Sequence, residues 1–225
     1  MMTAAHLADR LPAIGVVRRW SQSLAVLDAI MSAEWDYRYF SFDAQFGPGQ
    51  ALASMRNGSG DEYSITFTGE GAFLRGFDHE SPVSPFSQSP PALWPGILTG
   101  LPAELATVAQ EPAFTLGGVP MVTVALWRLA RDRQWRHGNI TYPRAWENEY
   151  ADPDGASWLF AQLDGHAESY LQYASEYFER QLAVEAVTAV LEHRPLTQVL
   201  VRALNPERSL HDLTSDLNRI GYPAE

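Results

Sequence analysis

The spacing of apolar positions changes several times along the chain. Trp20, Leu24, Leu27 and Ile30 recur at the helical period and predict a helix over Val17–Met31; a shorter one over residues 3–11 precedes it, stopped by Pro12. From Tyr37 the period falls to two. Tyr37, Tyr39 and Ser41 face one way and Arg38, Phe40 and Phe42 the other, giving an aromatic-rich strand that ends at the Gly47-Pro48-Gly49 turn. Leu52, Ser54 and Met55 make a short strand into Asn57-Gly58, a pair that suits a type I′ hairpin because both central residues of that turn need positive φ. Tyr63, Ile65 and Phe67 then alternate with Ser64, Thr66 and Thr68, the pattern of a strand with one buried face. Gly69 and Gly71 mark the next turn. Phe73-Leu74 opens a further strand that closes at Asp78-His79-Glu80, so residues 55–80 read as a β-meander with acidic groups at both ends.

Between Ser81 and Gly100, Pro82, Pro85, Pro90, Pro91 and Pro95 rule out regular pairing. Phe86, Leu93 and Trp94 give this run apolar anchors and favour an ordered wrap over a flexible lid. Pro102 with Glu104 opens a helix to about Gln110, Met121–Trp127 is a strand, and Gln134–His137 pairs with it across Ala130–Arg133. Asn139–Gly155 is a boundary rich in turn formers, and beyond it the pattern is helical. Tyr170, Tyr173, Ala174, Tyr177 and Phe178 form one stripe; Ala183, Ala186, Val187, Val190 and Leu191 form another. Thr197 caps a helix, Ser209 and Asp212 have capping-box spacing, and Gly221 with Pro223 ends the last one. The order is α+β: an antiparallel sheet flanked by helices, with a helical C-terminal region. The expected division is an α+β domain over residues 1–145 and a helical region over 150–225, packed on the first or forming a small separate domain.

Composition narrows the function classes. The 225 residues are 46% hydrophobic and 12% aromatic, enough for a core. Net charge is −11, and all 16 basic residues are arginine, which argues against nucleic acid or an anionic membrane as partner and is compatible with a basic protein partner. There is no cysteine, so disulfides and thiolate chemistry are excluded. No signal-like or membrane-length apolar run is present, and a cytoplasmic protein is the expectation.

Candidate chemistry is sparse. Asp78, His79 and Glu80 are consecutive and point in different directions on a strand, so they do not converge on one atom as catalytic groups would. With Asp61 and Glu62 they form an acidic surface if the meander brings its ends together, and these five are the candidate partner-binding residues. The Asn57–Gly60 loop lacks the strand–loop–helix context of a phosphate cradle. Trp127–His137 interleaves arginines with tryptophans in the manner of a nucleic-acid surface, but reads better as a hairpin with its tryptophans turned inward. Asp152 and Asp154 resemble the start of a calcium loop without its closing Glu, and helix capping accounts for them better. The tyrosine stripe is read as core rather than interface. The six histidines show no paired spacing and no serine sits in a nucleophile elbow, so neither catalytic residues nor metal or other cofactor are expected.

Residues 55–80 resemble the core of the SUKH superfamily, which takes in yeast cell-wall regulators and many bacterial immunity proteins. The matching positions are Asn57, Gly58, Gly60, Asp61 and Tyr63, then Gly71 and Phe73, then Asp78, His79 and Glu80. The resemblance implies an α+β binding fold without enzymatic activity, whose bacterial members neutralise toxins by binding them. The leading expectation is therefore a non-catalytic, immunity-like protein-binding module. The alternative is a small-molecule binder or enzyme with a pocket between sheet and C-terminal helices.

Overall fold

The computed structural model describes all 225 residues. The first part of the chain carries α1 (Ala4–Arg10), α2 (Ile14–Met31), β1 (Phe40–Gly47), β2 (Gln50–Arg56), β3 (Glu62–Phe67) and β4 (Gly71–Phe77). There follow α3 (Ala106–Ala109), β5 (Thr115–Leu116), β6 (Val119–Pro120), β7 (Val124–Leu129) and β8 (Arg136–His137). The remainder is helical: α4 (Ala156–Leu159), α5 (Ala167–Tyr177), α6 (Val184–Leu191), α7 (Gln198–Leu204) and α8 (Thr214–Ile220). The fold is α+β with antiparallel strands and a helical C-terminus. No helix is long and apolar enough to cross a membrane.

Two compact units interleave along the sequence. One comprises Met1–Ile14 and Arg56–Phe160, the other Gly15–Met55 and Ala161–Glu225.

In the first unit the strands run β3-β4-β7-β8, each antiparallel to its neighbour. The register places Thr66, Phe73 and Trp127 side by side on one face, and Ile65, Leu74 and Leu126 on the other. The first face is covered by Ile97 and Leu105, with Leu93, Trp94, Leu98 and Val108 packed around them. The Pro-rich run is thus an anchored wrap. On the opposite face Tyr63 stacks on Phe160 with ring centres 4.7 Å apart. Gly76 lies so close to α4 that a Cβ there would sit 2.9 Å from the Leu159 side chain. This corrects the one-sided strand inferred for β3: Ser64 and Thr66 are buried along with Tyr63, Ile65 and Phe67, because residues 93–108 cover the face that alternation assigned to water.

The helical unit pairs β1 with β2 around Gly47–Gln50. The aromatic strand starts at Phe40, not Tyr37, since Trp35–Tyr37 forms a 3-10 turn. α2 is the central helix, with twelve of its eighteen residues buried. Its polar Gln22 and Ser23 are satisfied by the carbonyls of Ile220 and Val190. The predicted caps are present. Thr197 Oγ1 accepts from the Leu200 N–H, and Ser209 and Asp212 bond each other's backbone N–H reciprocally. Gly221 ends α8 in the left-handed conformation at φ 69°.

Candidate functional site

The two ends of the meander do meet. The loop Asn57–Asp61 is not the type I′ turn expected: positive φ falls at Gly58 and Gly60, and Asn57 keeps a negative one. Asn57 instead organises the loop as an Asx turn, its Oδ1 accepting from the Ser59 and Asp61 N–H groups. Its own N–H reaches the Asp61 carbonyl, and its amide Nδ2 donates to Asp61 Oδ2 at 2.7 Å. The other Asp61 oxygen receives both the backbone N–H and the ring Nδ1–H of His79, at 2.9 and 2.7 Å. A carboxylate only accepts, so the imidazole proton sits on Nδ1 and Nε2 faces outward, 3.9 Å from Glu80 Oε1. Burial works to raise the Asp61 carboxyl, but the bonds from His79 and Asn57 outweigh it and hold it below its ordinary value. His79 is correspondingly raised, first by its bond to Asp61.

Asp78 lies at the same rim. Its N–H donates to Thr123, its Oδ1 accepts from the Glu80 N–H, and its Oδ2 accepts from Trp158 Nε1 at 3.0 Å. Gly155, at φ 78°, allows α4 this approach; a Cβ there would lie 2.8 Å from Asp78. Glu80 is the outward charge, with 85% of its side chain exposed. Glu62 is directed elsewhere. It holds the buried guanidinium of Arg75, which also donates to the Met121 carbonyl and lies 3.8 Å over the Phe114 ring. Arg56 adds a looser contact to Glu62 at 3.6 Å. Asp61, Asp78, His79 and Glu80 therefore share one rim, whereas Glu62 is the counter-ion of a buried cation.

One ligand atom from each of Asp61, Asp78 and His79 lies within 4.8 Å of the others, so these are the residues that could hold a cation. Each is already engaged by hydrogen bonds, Asp61 with the backbone N–H and Nδ1–H of His79 and Asp78 with Trp158. The remaining sequence candidates have structural roles. Trp127 and Trp135 are buried, Arg131 and Arg136 pair with Glu104 and Asp132, and Arg128 donates to the Pro12 and Asp132 carbonyls. Asp152 and Asp154 cap the start of α4, and burial raises both carboxyls. Asp154 also accepts from Tyr142 and from the Ala4 N–H.

A group that the pattern concealed lies in the helical unit. Asp28, in the last turn of α2, is fully buried, and its carboxylate takes four donors. The Tyr170 hydroxyl reaches Oδ1 at 2.8 Å, while Oδ2 receives the N–H groups of Tyr39 and Phe40 and the Tyr173 hydroxyl at 2.8, 2.9 and 3.2 Å. Burial pushes Asp28 up to about 7, the four hydrogen bonds opposing it. Tyr170 and Tyr173 of the α5 stripe are thus core, with both hydroxyls satisfied by one carboxylate, while Tyr177 is half-buried. A lone acid between Leu27 and Ala29 in an apolar run was the sequence signal for it.

No family model, no curated protein and no solved structure matches this chain.

Proposed function

We propose that the chain is a non-catalytic protein-binding module of the immunity type, as the resemblance of residues 55–80 to the SUKH superfamily suggests. It engages a basic partner through the rim formed by Asn57–Asp61 and Asp78–Glu80. The observation that carries this reading is the clamp between Asp61 and His79, which fixes the loop and the turn into one surface at 2.7 Å. A rim held by its own hydrogen bonds loses little freedom on binding, which favours association. Asp78 and Glu80 supply its negative charge, and the net charge of −11 draws a cationic protein to it. Glu62 contributes through Arg75 by holding β3 against β4 beneath the rim.

The test is affinity capture from the source organism's lysate with three folded proteins: the wild type, Asp78→Asn/Glu80→Gln, and a control carrying Glu147→Gln/Glu149→Gln, two exposed acids off the rim. The expected result is one basic protein retained by wild type and control and lost from the rim variant. Equal retention by all three contradicts the reading, because net charge alone would then account for capture.

A further inference from the structure

The helical unit has a concave feature of its own, a cleft of about 310 Å³ between α2, α6 and the start of α5. Val16, Arg19 and Trp20 stand at i, i+3 and i+4 on one face of α2, and Thr188, Leu191 and Glu192 repeat that spacing at the end of α6. Each helix therefore gives the cleft one complete stripe. The Trp20 ring is held in place by Gly165, whose backbone lies flush on it: a Cβ at 165 would come within 2.3 Å of Cζ2, and φ there is +75°. The aromatic wall is thus preformed.

Two opposite charges line this space without pairing with each other. Arg19 makes no ion pair or hydrogen bond, while Glu192 touches Arg194 through Oε2 and keeps Oε1 free. The Arg19 charge is not cancelled locally. After burial, it is what holds the neighbouring His193 below its ordinary value. An anion alone would meet Glu192, a cation alone would meet Arg19, and an apolar ligand would answer neither Arg19 nor the free Glu192 Oε1. A zwitterion answers both. The volume is at the small end of ligand sites, which span roughly 300–1,000 Å³, so the occupant is a single small molecule.

We propose that this cleft binds a small zwitterion, an α-amino acid or close analogue with an aliphatic or aromatic side chain. Its carboxylate lies on Arg19, its ammonium on Glu192 and its side chain against Trp20, Val16 and Leu191. Thr188 offers a hydroxyl to either charged end.

The experiment is isothermal titration calorimetry with L-leucine and L-phenylalanine, set against N-acetyl-L-leucine, which lacks the cation, and L-leucinamide, which lacks the carboxylate. Wild type is expected to bind at least one free amino acid saturably, and each blocked leucine about tenfold more weakly than leucine. Arg19→Gln should weaken leucine about tenfold and leave leucinamide unchanged; Glu192→Gln should weaken leucine and leave the N-acetyl form unchanged. Both residues are exposed, and circular dichroism checks that the variants fold. No saturable heat from wild type up to about 10 mM ligand overturns the proposal. So does equal affinity for free and blocked forms, or an Arg19→Gln variant that weakens leucine and leucinamide alike.

Discussion

Replacing Asp28 by Asn should flatten one component of the protein's pH dependence. The Asp28 carboxyl is raised from 3.8 in the unfolded chain to about 7 in the fold, chiefly by burial. A carboxyl raised on folding adds stability while both states are protonated, below the unfolded value, and that contribution is lost as pH rises through the folded one. A shift of about 3 units at 1.36 kcal/mol each is worth ~4 kcal/mol in total, and ~2.5 kcal/mol of it falls between about pH 5 and pH 8. Asn does not titrate, so the difference in unfolding free energy between wild type and Asp28→Asn should move by ~2.5 kcal/mol across that window, in favour of the variant at the alkaline end. At the acidic end the variant should be the less stable by about 1–3 kcal/mol, because its amide places N–H groups against the donors of Tyr39, Phe40, Tyr170 and Tyr173. Denaturant titrations at about four pH values supply the comparison, and the other titrating groups cancel in the difference. A difference constant to within about 0.5 kcal/mol would refute the reasoning and show that the four donors hold Asp28 at its ordinary value.

Further outcomes follow from the same geometry. Glu62→Gln leaves the buried Arg75 without its counter-charge and should cost roughly 3 kcal/mol in denaturant unfolding, well above an exposed acid such as Glu147→Gln. Gly96→Ala sets a Cβ 2.1 Å from the Asn139 carbonyl at φ +94°, so it should lower stability by about 2–4 kcal/mol and loosen the wrap over Phe73 and Trp127, read as faster hydrogen exchange in residues 93–101. The His79 ring, followed by NMR, should titrate above the ordinary histidine value in wild type and move down in Asp61→Asn. Dialysis against EDTA should leave the melting temperature unchanged, since hydrogen bonds already engage Asp61, Asp78 and His79; a fall would mark them as a metal centre.

The helices were legible because their signals are local. The period through Trp20, Leu24 and Leu27, the Ser209–Asp212 capping pair and the terminal Gly221 each act within a few residues of chain. The second buried face of β3 was not legible, since its cover comes from residues 93–108, and alternation reports side-chain polarity without saying what lies opposite. The buried Ser64 and Thr66 positions look the same in sequence as solvated ones. The Asn57–Asp61 loop was placed correctly but given the wrong turn, because the Asn57 side chain bonds two backbone N–H groups and moves positive φ to Gly58 and Gly60. Glu62 was grouped with the rim acids by proximity in sequence. Only the β3–β4 register, which pairs Ser64 with Arg75, shows that it lies diagonal to that arginine. Asp28 meets its tyrosines across 142 and 145 residues, a separation over which no periodicity speaks.

The proposed function places a basic protein on the Asn57–Asp61 and Asp78–Glu80 rim. Hydrogen–deuterium exchange of this chain, alone and with the captured partner, tests it most directly. New protection is expected to concentrate in residues 57–61 and 78–80 and to be lost as salt is raised. Protection confined to the helical unit, with the rim exchanging at its free rate, would contradict it.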